Sequence, residues 1–254
     1  MIIKKKRINS DQRIKNELVH GEYISQKGEE VWNWSSPAGR IRWKRRCDMF
    51  REFLGNSGKK VLEIGCGTGL FTGEISKTAN KITAIDISPT LLDLAKRQVD
   101  VPNVEFMVKN AYNTGFENFS FDCIVGSSVL HHLDIDRAIL EFYRLLKPSG
   151  GIMFTEPNMM NPQIAMERNI PFIRKLTSTS PDETAFFRWR LRKKLVTSGF
   201  DDVSVIPFDF FHPGVPEFLI PMVKPILYRI EHIPLLKEIA GSLIIKGRKT
   251  TKNQ

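Results

Sequence analysis

The chain has 254 residues, of which 41% are hydrophobic, and this is enough for one large α/β domain with a sizeable core. No apolar run approaches the ~18 residues that span a bilayer, and the N-terminal sequence MIIKKKRINSD turns polar too early for a signal peptide. The three cysteines lack CxxC spacing, which argues against a disulfide framework and against a zinc site. We therefore expect a cytoplasmic protein.

The formal net charge of +10 is concentrated near the two ends of the chain. Four basic residues with no acid among them lie near each end: Lys4, Lys5, Lys6 and Arg7, and Lys246, Arg248, Lys249 and Lys252. Basic termini are typical of solvated tails, and this interpretation is favoured over an arm for nucleic acid or anionic lipid. The charge therefore does not predict a nucleic-acid partner, while peripheral membrane contact and oligomeric state stay open.

Strand-like and helix-like patterns alternate from Lys60 onward. The predicted elements in chain order are strand KVLEI, helix 70–79, strand KITAID, helix PTLLDLAKRQ, strands NVEFMV and FDCIVG, helix 134–146, turn KPSGG, strand GIMFTE, helix 182–197, and strands DVSVIPF and SLIIKGR. Ser88 followed by Pro89 predicts a helix start, with a hydroxyl N-cap and proline at the first helical position. The alternation predicts right-handed crossovers and an α/β fold with a doubly wound, Rossmann-like, mostly parallel sheet.

The chain divides into two predicted parts. Residues 1–57 are expected to form a helical extension that acts as a lid. Residues 58–254 are expected to form the sheet-containing domain, with an apolar insertion at about 209–240 before the last strand. We see no internal repeat and no low-complexity linker between the parts.

Three glycines stand directly behind the first predicted strand, in the sequence KKVLEIGCGTGLF. They fail the dinucleotide fingerprint G-x-G-x-x-G/A, because its third position falls on Leu70 or Thr72. The pattern present is E-x-G-x-G-x-G, from Glu63 to Gly69. Dense glycines let the backbone approach a ligand closely, and an acid beside them suits a cation better than a pyrophosphate.

A second acid, Asp86, closes the next predicted strand 17 residues after Gly69. A carboxylate at this place can accept hydrogen bonds from both hydroxyls of a ribose. Both NAD and S-adenosylmethionine contain that ribose, so Asp86 alone does not separate them. The ammonium and sulfonium groups of S-adenosylmethionine fit the charge of Glu63 better than a phosphate does.

The segments VLEIGCGTG, ITAIDIS, FDCIVGSSVLHHL and LLKPSGG resemble, in order and spacing, the class I S-adenosylmethionine-dependent methyltransferases of small molecules. The resemblance covers about residues 58–206 and again 243–249, and it implies S-adenosylmethionine as cofactor and an antiparallel C-terminal strand. It also implies a set of cofactor-binding residues: Glu63, Gly65, Cys66, Gly67 and Gly69 around the methionine part, Asp86 on the ribose, Ile87, Asn110 and Ala111 at the adenine, and Ser127 near the methyl group. Asn110 departs from the acid that the family usually has at its position.

The adjacent His131 and His132 are candidates for acid–base catalysis, because an imidazole can take a proton from a hydroxyl as the methyl group transfers. The alternative is a packing and helix-start role, and we expect only one of the two side chains to face the cavity. Glu156 is either a substrate-binding acid or a turn cap. Related quinone O-methyltransferases carry a magnesium site, Glu-x-x-Glu-His, where this chain has Ser128, His131 and His132, so no metal is expected.

These features predict a methyltransferase for a small-molecule, glycan or lipid-linked acceptor, with O- or C-methylation. Enzymes that methylate exocyclic amines of nucleic acids carry Asn/Asp-Pro-Pro-aromatic after the fourth strand, whereas this chain has GSSVLHHL. The alternative is a catalytically silent S-adenosylmethionine-binding protein that serves as a partner of another protein. A nicotinamide oxidoreductase is a distant third.

The segment EEVWNWSSPAGRIRWKRR precedes the first strand and has two interpretations. In one, Trp32 and Trp34 wall the cavity and an arginine such as Arg40 pairs with the carboxylate of the cofactor. In the other, the segment is an ordinary amphipathic helix with a solvated basic face that consists of Arg42, Lys44 and Arg45.

The insertion at 209–240 contains five prolines and many large apolar residues. Its charge is −1, because four acids (Asp209, Glu217, Glu231 and Glu238) face three bases (Lys224, Arg229 and Lys237). A surface for anionic lipid should be basic on its polar face. We therefore expect a cover over the substrate cavity first, and a lipid-facing surface second.

Overall fold

The computed structural model describes residues 10–28, 33–170, 172–173 and 183–250. Seven strands form one sheet: β1 (Lys60–Ile64), β2 (Lys81–Asp86), β3 (Val104–Val108), β4 (Phe121–Ser127), β5 (Leu146–Pro157), β6 (Phe200–Phe208) and β7 (Ser242–Lys249). Their order is β3-β2-β1-β4-β5-β7-β6. The first five strands pair in parallel, and β7 lies antiparallel between β5 and β6. The predicted doubly wound, mostly parallel sheet with an antiparallel C-terminal strand is confirmed.

Helices cover both faces of the sheet. They are α1 (Ser10–Lys27), α2 (Pro37–Leu54), α3 (Leu70–Ile75), α4 (Pro89–Gln98), α5 (Ile135–Leu145), α6 (Pro162–Asn169), α7 (Arg188–Thr197) and α8 (Ile220–Ile230). One apolar core packs α2, α3 and α4 on the sheet, and the other packs α5 and α7 on its opposite face. Within the described ranges, no helix is long and apolar enough to cross a membrane.

The central strand β1 contributes to both cores. Val61 belongs to the core on the α2 side, and its neighbour Leu62 belongs to the core on the α5 side. Successive side chains of a strand point to opposite faces, so a strand covered on both sides needs apolar residues throughout. This explains why Val61, Leu62 and Ile64 of this strand are apolar.

Several predicted helix and strand boundaries differ from the structure because hydrogen bonds to distant parts of the chain determine where these elements begin. The sequence KPSGG belongs to β5 and not to a turn, since Leu146 already pairs with Phe121 of β4. The ammonium group of Lys249 donates to the backbone carbonyl of Leu146 at 2.8 Å, where α5 has ended. Helix α7 begins at Arg188, because residues 183–187 are not helical and bond to neighbours: the Thr184 N–H donates to the His131 carbonyl at 3.1 Å.

The direction of the sheet reverses between β1 and β4. From β1 the chain proceeds outward to β2 and β3, and from β4 it proceeds to β5 on the other side. In a doubly wound sheet, the crevice outside the carboxyl ends of the strands at such a switch point is where ligands bind. The glycine-rich loop follows β1 at this point, and the backbone N–H groups of Gly65 and Cys66 donate to the Ile85 carbonyl of β2 at 2.8 and 3.1 Å.

The insertion is attached to α2 by ion pairs. Arg42 binds Asp209 at 2.8 Å, and Arg45 makes two bonds to Glu231 at 2.6 and 2.5 Å. The interpretation in which these two arginines are solvated is wrong, because acids that are distant in sequence fold against them. Lys44 does remain exposed.

Candidate active site

A cavity of about 410 Å³ opens at the carboxyl ends of β1, β2 and β4. Its volume falls within the ~300–1,000 Å³ that is typical of small-molecule sites. Trp34 and Trp43 lie in its wall, whereas Trp32 lies outside the described residues. Most of the predicted cofactor-binding residues line it: Glu63, Gly65, Cys66, Gly67, Asp86, Ile87, Asn110, Ala111 and Ser127.

The three glycines of the motif have different structural roles. A Cβ added at Gly65 would lie 2.4 Å from Val129 Cγ2, so this glycine allows the loop to pack on the segment after β4. Gly67 has a φ of +54° and open space where a Cβ would stand, beside the cavity. Gly69 is not in the cavity wall: its φ is +87°, and a Cβ there would lie 3.0 Å from Ala95 of α4. Gly69 therefore serves helix packing, and the implied contact with the ligand stays a prediction.

Glu63 offers an unused acceptor to the cavity. The residue is only 1% exposed, and its Oε2 has no hydrogen-bond partner among the described residues. Burial raises the pKa of Glu63 to about 8. A buried carboxyl with an unfilled oxygen is costly, and a cationic ligand beside it would supply the missing partner.

Asp86 organises the glycine-rich loop from the end of β2. Its Oδ2 accepts the Gly67 N–H at 2.9 Å, and its Oδ1 accepts the Ser88 N–H at 2.9 Å. Burial raises the pKa of Asp86, and these backbone bonds oppose that shift. Each carboxylate oxygen has a further lone pair, so the side chain can hold the loop and also accept from ligand hydroxyls.

The residues after β2 and β3 form the far wall. Ile87, Asn110 and Ala111 line the cavity there. The Asn110 side-chain carbonyl accepts the Tyr112 N–H at 2.9 Å, which leaves one lone pair for a ligand amine. In the family an acid usually accepts from the ligand amine at this position. Asn110 can accept in the same way, but its side chain is neutral.

Arg40 is not in the cavity wall, and the buried arginine of α2 is Arg46. Arg40 is exposed and donates to the Ser35 carbonyl, away from the cavity. Arg46, one α2 turn beyond Trp43, is 4% exposed and donates to the hydroxyls of Ser127 and Ser128 at 3.3 and 3.0 Å. Burial lowers the pKa of Arg46 to about 10. The sequence offered one signal for it, since Trp43 and Arg46 are three residues apart and share a helix face.

Glu156 holds the segment after β4 in place. Its carboxylate accepts the backbone N–H groups of Val129, Leu130 and His131 at 2.9, 2.7 and 3.2 Å. It also contacts His131 Nδ1 at 2.7 Å. Glu156 is not in the cavity wall, so the structure favours the turn-cap interpretation over contact with a substrate. Burial raises the pKa of Glu156 to about 7 and lowers that of His131 well below its usual value.

Both adjacent histidines line the cavity, although we expected only one to do so. The reason is the 3₁₀ turn Leu130–His132, which brings the two rings to a centroid distance of 4.1 Å. His132 Nδ1 contacts Glu17 of α1 at 3.0 Å. Burial lowers the pKa of His132, but the hydrogen bond and charge of Glu17 outweigh it, and the net shift is upward.

The cavity is walled by α1 and not by the insertion. None of the described residues at 209–240 lines the cavity, so the expectation of a cover there is wrong. The α1 residues Arg13, Ile14, Glu17, His20, Gly21 and Ile24 line it instead. The amphipathic pattern of α1 is weak, so the sequence alone did not predict that these residues face the cavity. Across the described residues, no three or more His, Cys, Asp or Glu side chains are grouped so as to hold a metal ion.

Comparisons with known proteins agree with this geometry. A family model described as "Methyltransferase domain" matches residues 62–154. Demethylmenaquinone methyltransferase of Staphylococcus saprophyticus is 26% identical over 222 residues, covering 78% of this chain and 94% of that protein. Ubiquinone biosynthesis O-methyltransferase of Coxiella burnetii is 28% identical over 148 residues, covering 55% of this chain and 63% of that protein, which is less than two thirds of its length.

Solved structures share the fold. An S-adenosylmethionine-dependent methyltransferase from Thermotoga maritima has a TM-score of 0.65 at 19% identity, covering 89% of this chain and 98% of that one. Phosphoethanolamine N-methyltransferase 2 of Haemonchus contortus, in complex with S-adenosylmethionine, has a TM-score of 0.66 at 18% identity, covering 96% of this chain and 61% of that one.

The cavity has the chemistry that S-adenosylmethionine requires. Glu63 offers an unfilled buried oxygen to a cation, Gly67 leaves space beside it, and Asp86 stands at the end of β2. Residues 62–154 form a methyltransferase domain, and the chain is an S-adenosylmethionine-dependent methyltransferase that resembles the class I superfamily, with S-adenosylmethionine as its cofactor.

Proposed function

We propose that this methyltransferase acts on a quinone-type small molecule in its reduced, hydroxylated form and methylates a ring oxygen or a ring carbon. The relatives named for demethylmenaquinone and ubiquinone support this acceptor class. The observation that carries the proposal is the His131–Glu156 pair, since it presents an imidazole to the cavity in which the cofactor binds. We also propose that the acceptor is lipid-linked.

In the proposed arrangement the cofactor lies along the carboxyl ends of β1, β2 and β3. Bound S-adenosylmethionine supplies a methyl group on a positively charged sulfur. Glu63 accepts from its ammonium group, and Asp86 accepts from the ribose hydroxyls through the lone pairs that the loop does not use. Ile87, Ala111 and the free lone pair of Asn110 contact the adenine. Gly65, Cys66, Gly67 and Ser127 surround the methionine part, and Arg46 positions the Ser127 hydroxyl.

We propose that His131 takes the proton from the acceptor hydroxyl. Because its Nδ1 bonds to Glu156, its Nε2 is the nitrogen that would accept the proton in the cavity. Burial keeps the ring neutral at pH 7, and the adjacent carboxyl group stabilises the imidazolium that forms. Glu156 is thus a positioning residue. His132 is held by Glu17, and it can relay the proton toward α1.

The N-terminal part acts as a lid in this proposal. Arg13 Nη1 donates to the carbonyls of His132 and Leu133 at 3.3 Å, which fixes α1 on the histidine turn. Gly21 allows a close approach to α4, since a Cβ there would lie 2.8 Å from Ser88 Oγ. Helix α1 therefore completes the cavity wall over both the cofactor and the acceptor.

The insertion suits contact with a membrane surface, which a lipid-linked acceptor requires. Helix α8 has no buried residue, and the side chains of Phe218, Met222 and Leu235 are 78%, 68% and 85% exposed. Three of its four acids are paired with arginines outside the segment: Asp209, Glu231 and Glu238. No ion pair is described for its three bases, Lys224, Arg229 and Lys237, so the outward charge is basic, as anionic lipid prefers.

Replacing Asp86 with Ala tests the cofactor site. We expect the affinity for S-adenosylhomocysteine to fall by roughly 10- to 100-fold, because a charge-assisted hydrogen bond to the ribose is lost. Calorimetry measures the dissociation constant, and Asp93→Ala on the exposed face of α4 is the matched control. An unchanged dissociation constant for Asp86→Ala would place the cofactor elsewhere.

Methyl transfer to 1,4-naphthalenediol, a reduced quinone, tests the acceptor class and the base together. We expect the wild type to produce a methylated product, and His131→Gln to lower kcat by about 10²- to 10⁴-fold, because proton removal is lost. Binding of S-adenosylhomocysteine should be retained. The exposed His232→Gln is the control. If the wild type methylates no reduced quinone, the acceptor class is wrong; if His131→Gln keeps full kcat, His131 is not the base.

Replacing Gly21 with Val tests the lid. The added side chain collides with Ser88 and displaces α1, so S-adenosylhomocysteine should bind more weakly, on the order of tenfold. Gln26→Val introduces the same β-branched residue on the exposed side of α1 and should leave binding unchanged. Equal affinities for the two variants would show that α1 does not close the cavity.

Sedimentation with phosphatidylglycerol vesicles tests the membrane surface. We expect Phe218→Ser and Leu235→Ser each to weaken vesicle binding by about tenfold or more, since each removes a large apolar group from the lipid. Leu140→Ser, at an exposed position of α5, is the control for a lost surface leucine. Equal binding of all variants, or no preference for anionic over phosphatidylcholine vesicles, would contradict the proposal.

A further inference from the structure

A buried arginine in the cavity wall is only partly paired. Arg168 lies in the last turn of α6, is 8% exposed, and lines the cavity. Its Nη2 binds Glu183 at 2.7 Å. Its Nε and Nη1 have no hydrogen-bond partner in the described part of the chain. Two donors of a buried cation are therefore unfilled in a residue of the cavity wall.

A buried guanidinium with unfilled donors is energetically unfavourable unless a ligand accepts hydrogen bonds from it. A guanidinium removed from water needs its donors filled, and one carboxylate on one nitrogen leaves most of its hydrogen bonds unmade. The chain nevertheless holds α6 firmly. Asn161 caps its first turn and donates to the Ile239 carbonyl at 2.9 Å, and Asn158 donates to the Ala240 carbonyl at 2.8 Å. The position of Arg168 is therefore fixed by structure that does not depend on a ligand.

Arg168 is close to the proposed base. The charges of Arg168 and of Glu183 both act on the His131 ring, in opposite directions. The residue after Glu183 is bonded to the same turn, since Thr184 donates its backbone N–H to the His131 carbonyl at 3.1 Å. The unfilled guanidinium donors, the imidazole and the cavity thus belong to one compartment, where the acceptor must be placed.

We propose that Arg168 binds an anionic oxygen of the acceptor, either an ionised ring hydroxyl or a ring carboxylate. This inference rests on the proposed function, because it assigns a group on the acceptor to that cavity. A guanidinium is planar and permanently charged, so it suits an oxygen anion on a flat ring. Glu183 fixes the guanidinium through Nη2 and leaves the other nitrogens for the ligand.

The proposal separates two kinds of acceptor. A ring that carries only ionisable hydroxyls would present a phenolate to Arg168, and a ring that also has a carboxylate would present the carboxylate. An otherwise similar ring with methylated oxygens offers no anion and gains nothing from Arg168. A site built to bind an ionic group rejects an analogue without it, because its buried donors then stay unpaired.

Calorimetry on the full chain saturated with S-adenosylhomocysteine tests this with three probes. These are 1,4-naphthalenediol, 1,4-dihydroxy-2-naphthoate and 1,4-dimethoxynaphthalene. We expect the wild type to prefer an anionic probe to the dimethoxy compound, and Arg168→Met to reduce that preference by roughly 10- to 100-fold. Arg168→Lys should restore part of it. Arg188→Met, which breaks the half-exposed pair with Glu238 outside the cavity, should behave as the wild type.

Each outcome decides between distinct conclusions. Loss limited to the naphthoate identifies the carboxylate as the bound anion, and loss for both hydroxylated probes identifies the phenolate. If the wild type prefers the anionic probes and Arg168→Met keeps that preference, Arg168 is not the anion site and the proposed function stands. If the wild type binds S-adenosylhomocysteine but none of the probes, the acceptor class fails and this inference fails with it.

A second variant covers the case in which Arg168→Met does not fold. Glu183→Gln retains Arg168 and removes the charge that competes for it. We expect the anionic probes to bind more tightly to Glu183→Gln, while the affinity for the dimethoxy probe stays the same. Unchanged or weaker binding of the anionic probes to a folded Glu183→Gln protein overturns the proposal.

Discussion

The carboxylate of Glu156 is the constraint on which the rest of the site depends. It lies at the end of β5 and accepts three backbone N–H groups from the turn that follows β4, together with a bond to the His131 ring. A buried carboxylate in this setting fixes a short segment that has too few residues to be stable as a helix. Both histidines, and the valine that packs on Gly65, take their positions from it.

The turn after β4 contacts the loop after β1 and helix α1, and so it connects the two halves of the doubly wound sheet. Val129 fills the space left by Gly65 of the loop after β1, and His132 contacts α1 through Glu17. The cofactor loop, the histidines and the N-terminal wall are therefore positioned relative to one another by contacts across the switch point. A change at Glu156 would displace all three, whereas a change at His131 would remove one ring.

The fold and the cofactor end of the cavity could be predicted because their signals are local. The alternation of strands and helices, the Ser88 cap, and the path from Glu63 to Asp86 are visible in short stretches of sequence, and the structure has all of them. The packing role of Gly69 was missed because it depends on Ala95, which lies in another helix. Arg46 and Arg168 were missed because an arginine in a charged run looks the same whether it is solvated or buried.

Charge counting failed at the insertion for a related reason. The segment has a net charge of −1 by composition. However, Asp209 and Glu231 form ion pairs with arginines of α2, and Glu238 forms one with Arg188. The charge that a surface presents is what remains after long-range pairing. That pairing is set by the fold, so the composition of a segment does not determine its sign toward a ligand or a lipid.

The two ends of the cavity have opposite electrostatic character, and this follows the charges of the two proposed substrates. Glu63 and Asp86 are buried where a cationic cofactor would lie, and both have a raised pKa without it, so a bound cation stabilises their ionised forms. Arg168 holds unfilled donors where an anionic acceptor would lie. Each substrate would thus be repelled from the place of the other.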